Sequence, residues 1–203
     1  VGDHATYHKQ YDAPLESDID AVAGTVSSWF HRSMTPDAVP GDGARAVAEA
    51  MRAPGGVATL ILPADVCWLD STPPAAPVTP QPAAIVPDEV IAAAARALHS
   101  DGDSVLFLGG RTLDERGQRA AVRIAQATGA KLFAEVFPRV QRRGAGLPVV
   151  ERLTYLSEFA QMQMEGLKHL ILVDAKAPVS FFAYPEKASY LVPDGCEVHV
   201  LAT

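Results

Sequence analysis

The chain is poor in cysteine, and Cys67 and Cys196 are its only two in 203 residues. They stand far apart, and neither has a Cys-x-x-Cys partner or a histidine at the spacing of a zinc finger. The sequence therefore predicts neither a disulfide framework nor a zinc site. We expect both cysteines to be small residues of the core.

Basic residues and long apolar runs are also scarce. Lys and Arg number 17 against 24 Asp and Glu, and the net charge of -7 argues against a nucleic-acid partner. No apolar run approaches the roughly 20 residues of a membrane span, and no leader pattern is visible. We expect a soluble, cytoplasmic protein with no membrane partner, and an apolar fraction of 48% that is ample for globular cores.

What the chain does contain, near its middle, is a strand, a glycine turn, a helix and a second strand. The apolar run from Ser104 to Leu108 stops at Gly109-Gly110, as a buried strand does at a tight turn. The helix that follows has one apolar face and an arginine face, and Gly129 is its natural stop. A strand from Ala130 to Phe133 completes a parallel crossover.

The glycine turn is a candidate nucleotide site because doubly wound sheets bind ligands at the carboxyl ends of their strands. Gly109, Gly110 and Arg111 offer backbone amides and a guanidinium, which suit a phosphate. The dinucleotide fingerprint G-x-G-x-x-G is incomplete, however. A plain strand-to-helix turn is the alternative.

The first third of the chain has its own helix and strand pattern. Asp18 or Ser17 is expected to cap a short helix from Ile19, and a strand is predicted from Thr25 to Phe30. A helix through Ala44, Val47, Ala48 and Met51 and a strand from Val57 to Leu62 follow. There is no initiator Met, and the chain begins as if cut inside a domain, so we expect a fragment.

Prolines dominate residues 71–87, STPPAAPVTPQPAAIVP, which cannot continue a helix or lie in the centre of a sheet. We predict a linker there, with an incomplete α/β unit at 1–70 and a doubly wound parallel-sheet α/β domain at 88–203. Within the latter, Asp88 is expected to cap a helix, and a further helix is predicted through Leu153, Leu156 and Phe159. Two more strands are expected, His169 to Val173 and Cys196 to Leu201, with Val198 and Val200 alternating against His199.

At this point the chain resembles a known family. The stretch GDHATYHKQYDAPLESDIDAVAGTVSSW, the strand GGVATLILPADVCW, the proline linker and the FLGGR turn look like the middle of a thiamine diphosphate enzyme. The group is that of acetolactate synthase and benzoylformate decarboxylase. Gly56 to Val66 matches the strand that closes the family's pyrimidine-binding domain, and the segment from Leu170 to Leu201 resembles the end of its central domain.

The resemblance implies chemistry that this chain does not complete. The family's activating glutamate lies upstream of the matched segment, and its diphosphate and Mg²⁺ are held by a G-D-G and N-N motif in a third domain. Gly41-Asp42-Gly43 spells the first half, but the chain has no Asn, and we interpret the match as coincidence. Thiamine diphosphate and Mg²⁺ are thus expected in the parent protein, which decarboxylates or joins 2-keto acids, as in branched-chain amino acid biosynthesis. We expect this chain alone to be inactive.

The loop Gly2 to Leu15 is the predicted substrate loop, because its family equivalent lies over the active-site funnel. His4 and His8 are candidate proton donors or anion partners, with ordinary exposed histidines as the alternative. Asp12 parallels the acid of the synthase motif D-A-F-Q-E, but Pro14 and Leu15 replace its Phe and Gln. That difference argues against true acetolactate synthesis.

Two further expectations follow from the family. Its synthases carry FAD against the central domain, but Asp114 and Glu115 follow the glycine turn and would repel a diphosphate, so we predict no FAD and at most weak binding of an adenine nucleotide. The family also implies a homodimer or homotetramer. The alternative function is a noncatalytic nucleotide-binding or assembly module derived from the family.

Overall fold

The computed structural model describes residues 1–144 and 146–202, which form two compact units, Val1–Ala84 and Ile85–Thr203. Each unit has a parallel sheet with helices, so the predicted α/β class is confirmed. Between Leu69 and Pro87 the described chain contains neither helix nor strand. The boundary between the units falls inside the proline-rich segment, where missing amide donors prevent sheet formation.

The first unit contains three parallel strands and three helices. The strands are β1 (Gly2–Asp3), β2 (Trp29–Arg32) and β3 (Ala58–Pro63), in the order β1-β3-β2. The helices are α1 (Ile19–Val26), α2 (Val39–Met51) and α3 (Ala64–Trp68). Strand β1 pairs Gly2 with Leu62, so the beginning of the candidate loop is fixed to the central strand.

Helix α1 runs further than expected, and the predicted strand from Thr25 was wrong at its start. The Asp18 carboxylate accepts a hydrogen bond from the Ala21 amide and caps the helix. Thr25 and Val26, β-branched residues that favour strands, complete its last turn because the capped helix bonds continue to them. The strand begins only at Trp29.

Helix α2 lies where the sequence predicted it, but its apolar residues are not all covered. Ala48 is buried, whereas Val47 and Met51 remain exposed. Cys67, expected in the core, is also exposed on α3. The first unit therefore leaves apolar side chains in solvent that a larger core would cover.

The second unit is a doubly wound sheet of five parallel strands in the order β6-β5-β4-β7-β8. The strands are β4 (Asp103–Leu108), β5 (Lys131–Ala134), β6 (Glu151–Arg152), β7 (Leu167–Val173) and β8 (Glu197–Ala202). The helices are α4 (Asp88–Leu98), α5 (Glu115–Thr128) and α6 (Ser157–Met164). The buried residues of the sheet form two clusters, one on each face, because successive side chains of a strand point to opposite faces. Phe107 and Leu170 belong to one cluster, and Leu106 and Ile171 belong to the other.

Three details of the second unit differ from expectation. Asp88 does not cap α4: it is the first residue of the helix, Pro87 holds the cap position, and no side chain makes a capping hydrogen bond. Leu153 is buried ahead of α6 rather than inside it. In β8 the residues alternate as predicted, but Val198 and Val200 are the exposed ones and His199 is partly buried. Strand β8 is the last of the described sheet, so one of its sides has no neighbouring strand.

None of the described helices is long and apolar enough to cross a membrane.

Candidate functional site

The predicted substrate loop borders a cleft of about 570 Å³ in the first unit. His4 and His8 both line it, and their ring centroids are 5.4 Å apart. Apolar walls come from Leu15, Ile19 and Trp68. The full lining is Gly2, Asp3, His4, Ala5, Tyr7, His8, Leu15, Ser17, Ile19, Ala64 and Trp68.

Helix α3 holds the loop in place. The Asp65 carboxylate accepts two hydrogen bonds from Thr6, one from its amide at 2.9 Å and one from its hydroxyl at 2.6 Å. The hydroxyl bond, followed by the amide bond, lowers the pKa of Asp65. Because Thr6 lies between the two histidines in sequence, this pair of bonds sets the path of the loop beside the cleft.

A second anchor is the Asp3 carboxylate, whose side chain is only 2% exposed. It accepts hydrogen bonds from Arg32, from Lys9 at 3.1 Å and from the His4 amide at 2.7 Å. Lys9 also pairs with Glu16. Lys9 and Arg32 are thus paired with carboxylates and do not line the cleft, so His4 and His8 are the basic groups that face it.

Asp12 lies apart from the two histidines. It borders a different depression together with Lys9, Glu16 and Arg32 and is absent from the lining of the histidine cleft. Its backbone is left-handed, with φ at 47°. The structure thus brings His4 and His8 together and leaves Asp12 outside their cleft.

The cleft does not fit a Mg²⁺ and diphosphate centre. Its only lining carboxylate, Asp3, is already bonded to Arg32 and Lys9. The Gly41-Asp42-Gly43 motif lies inside α2, where the Asp42 carboxylate accepts from the Ser33 hydroxyl at 2.8 Å. A metal-binding loop presents several free oxygen ligands, whereas both oxygens of Asp3 are bonded and Asp42 lies within a helix.

The glycine turn of the second unit lies at the carboxyl end of β4, as expected. Gly109 donates to the Val173 carbonyl, and Gly110 adopts a positive φ of 44°. The turn does not lead directly into a helix, however. A 3₁₀ turn from Gly110 to Leu113 intervenes, and α5 begins at Glu115 with the Asp114 carboxylate as its cap.

The amides of this turn already have anionic partners. The Gly110 amide donates to Glu135 at 3.3 Å, and the Arg111 amide donates to Asp174 at 2.7 Å. Partial burial, together with the charge of Asp174, raises the pKa of Glu135. An incoming phosphate would have to displace both carboxylates, because the amide groups available to it are the ones they occupy.

Arg111 itself is exposed, and its guanidinium makes no ion pair with the described residues. The guanidinium can still bind an anion, but the turn amides would not contribute hydrogen bonds to that anion. Glu135 and Asp174 were missed at the sequence level. Their positions after β5 and β7 are a recognisable signal, since polar residues at the carboxyl ends of neighbouring parallel strands meet at one edge.

Comparisons with known proteins point to one group. No family model matches the chain. Its sequence is 54% identical over 202 residues to the "Putative acetolactate synthase large subunit IlvX" of Mycobacterium tuberculosis. The match covers 100% of this chain and 39% of that protein, so the chain spans well under half the length of its relative.

Solved structures share the fold. A "putative thiamin diphosphate-dependent enzyme" from Mycobacterium smegmatis matches with a TM-score of 0.72 at 19% identity, over 97% of this chain and 38% of its own. The thiamine diphosphate-dependent 4-hydroxybenzoylformate decarboxylase of Rhodococcus jostii RHA1 matches with a TM-score of 0.70 at 18% identity, over 97% and 38%. The predicted resemblance of this chain to thiamine diphosphate-dependent enzymes of the acetolactate synthase and benzoylformate decarboxylase group is therefore confirmed.

Proposed function

We propose that this chain is the part of a thiamine diphosphate-dependent enzyme that presents a 2-keto acid to the reaction centre, and that the cleft beside His4 and His8 receives the substrate. The observation that carries the proposal is the make-up of this cleft: two imidazoles facing apolar walls formed by Leu15, Ile19 and Trp68. A small keto acid with an apolar substituent has the matching features, since its carboxylate suits an imidazolium and its side chain suits the wall.

The reaction class is decarboxylation, with or without transfer of the resulting carbanion to a second carbonyl. Thiamine diphosphate supplies the electron sink for that chemistry when it is bound. The contribution of this chain would be to bind and orient the keto acid and to donate or accept a proton at an imidazole of His4 or His8. Because the cleft lacks a free carboxylate for Mg²⁺, the cofactor's diphosphate has no place among its lining residues.

The test uses the whole protein that carries this chain, with thiamine diphosphate and Mg²⁺ added, and CO₂ release from pyruvate and from benzoylformate as the assay. We expect turnover of at least one of them. His4→Gln and His8→Gln should each raise KM about tenfold or more, the loss of one charge-assisted hydrogen bond. His99→Gln, an exposed histidine of the other unit, is the matched control and should leave KM unchanged.

The other candidate is a noncatalytic assembly module, and the exposed apolar side chains of α1 and α2 favour it. This second function would be supported if the whole protein released no CO₂ from any keto acid tested and still formed an oligomer.

Nucleotide binding by the module has less support, because Glu135 and Asp174 already accept hydrogen bonds from the turn amides. We propose that no flavin binds there. A flavin absorption band in the purified protein, lost in Arg111→Gln, would contradict that statement.

A further inference from the structure

Two histidines and a glutamate meet on one face of the second unit's sheet, away from its glycine turn. Strands β7 and β8 are parallel, with His169 opposite Glu197 and Ile171 opposite His199. Because side chains two residues apart share a face, His169, Glu197 and His199 lie together. They stand at the beginnings of these strands, whereas the glycine turn follows the end of β4. His169 and Val173 are four positions apart along β7, which corresponds to a distance of about 13 Å.

The three donor atoms form a nearly regular triangle. His169 Nδ1 lies 3.3 Å from His199 Nε2 and 3.5 Å from a Glu197 oxygen, and His199 Nε2 lies 3.6 Å from the same oxygen. Ligands about 2.1 Å from a tetrahedral metal ion are about 3.4 Å apart, whereas around an octahedral ion they are about 3.0 Å apart. The observed triangle matches the tetrahedral value.

Ser100, just after α4, orients the first histidine. Its hydroxyl donates to the Ala97 carbonyl at 2.7 Å, so its oxygen is left to accept from His169 Nε2 at 2.8 Å. That bond places the ring proton on Nε2 and leaves the lone pair of Nδ1 directed towards His199 and Glu197. A second-shell hydrogen bond of this kind is what fixes the tautomer of a metal-ligating histidine.

We propose that His169, Glu197 and His199 bind a divalent transition-metal ion, with Zn²⁺ the best match. Two imidazole nitrogens and one carboxylate oxygen are a ligand set that Zn²⁺ accepts with a fourth position left to water, whereas Mg²⁺ and Ca²⁺ require oxygen ligands. The ion would join β8, the last strand of the described sheet, to β7 and, through Ser100, to the end of α4. The cysteine spacing could not reveal it, because no cysteine takes part.

The experiment is a calorimetric titration of ZnCl₂ into the whole, untagged protein after treatment with EDTA. We expect one Zn²⁺ per chain at this site and a higher melting temperature with Zn²⁺, and excess MgCl₂ or CaCl₂ should not displace the bound Zn²⁺. Co²⁺ in place of Zn²⁺ should give the intense visible bands of a tetrahedral ion.

Variants assign the ion to these residues. His199→Gln should weaken Zn²⁺ binding about 100-fold or more, and Ser100→Ala, which removes only the orienting bond, about tenfold to 100-fold. Glu197→Gln should fall between them, and because its side chain is largely exposed it tests the site without disturbing the core. His99→Gln removes a nearby exposed histidine and should change nothing. Failure of the wild-type protein to bind Zn²⁺, or equal binding by the wild-type, His199→Gln and Glu197→Gln proteins, would overturn the proposal.

Discussion

The Glu135 carboxylate binds an amide of the glycine turn, although its charged form is disfavoured there. It accepts a hydrogen bond from the Gly110 amide, yet it lies near Asp174, and partial burial raises its pKa. A raised folded pKa means that the folded state holds the proton more tightly than the unfolded state does. The protein is therefore stabilised at low pH, and that stabilisation is lost as the pH rises from the ordinary value near 4.5 through the folded pKa.

We predict that Glu135→Gln raises the melting temperature at pH 7, because glutamine removes a partly buried charge and its repulsion by Asp174 while keeping an acceptor for the Gly110 amide. Since Glu135 is only partly buried, the gain should stay below about 1 kcal/mol, which corresponds to no more than about 4 °C. Glu165→Gln, at an exposed position, is the control. Thermal melts between pH 4 and pH 8 test this, and a variant less stable than wild type at pH 7 would count against it.

The pKa of Asp65 is shifted in the opposite direction from that of Glu135, and Thr6 is the cause. The two bonds from Thr6 lower the pKa of Asp65, so their stabilisation is present above its ordinary pKa of 3.8 and is lost as the pH falls through the lowered value. We predict that Thr6→Val raises the pKa of Asp65 towards 3.8 and that the stability difference from wild type shrinks in acid. An NMR titration of the carboxyl group measures it, with Thr79→Val as an unrelated control. An unchanged pKa would show that the hydroxyl bond is not formed.

At the scale of elements, helices α2 and α5 use glycine for different reasons. A Cβ on Gly117 in α5 would lie 2.3 Å from the Thr112 carbonyl oxygen, whereas a Cβ on Gly43 in α2 would meet nothing within 4 Å. We predict that Gly117→Ala destabilises the protein by about 1 to 3 kcal/mol. Gly43→Ala should stabilise it by about 0.5 to 1 kcal/mol, because alanine is the better helix former. Urea denaturation compares the two, and similar effects would mean that α5 can move away from Thr112.

The elements found from the sequence were those with a strong local signal. Strands β4 and β7 are long apolar runs, and α5 has both an apolar face and Gly129 as its left-handed end. Strands β1 and β6 have two residues each, too few to show a period. His169 and His199 are 30 residues apart, and only the register of β7 and β8 joins them. His4 and His8 could be named because they belong to one short loop.

At the scale of the whole molecule, the two units differ in how well they cover their apolar residues. The buried apolar residues of the first unit are Ala5, Ala23, Ala48, Ile61, Pro63 and Val66, while the second unit has two extended clusters. Helix α1 buries Ala23 and leaves Val22 and Val26 exposed, one helical turn apart. Exposed apolar side chains grouped on one helix face are typical of an interaction surface. We expect this surface to be covered by a second copy of the protein, as in the predicted homo-oligomer.

We predict that Val22→Glu combined with Val26→Glu lowers the molar mass of the protein in size-exclusion chromatography with light scattering. Each valine is about 65% exposed without a partner, so the substitutions should not disturb the unit's own core, but two charges would be buried unpaired at an interface. Arg123→Glu with Gln126→Glu, on the polar face of α5, introduces the same residue type and should leave the mass unchanged. A wild-type protein that is already monomeric, or an oligomer that survives the valine substitutions, would show that α1 is covered in some other way.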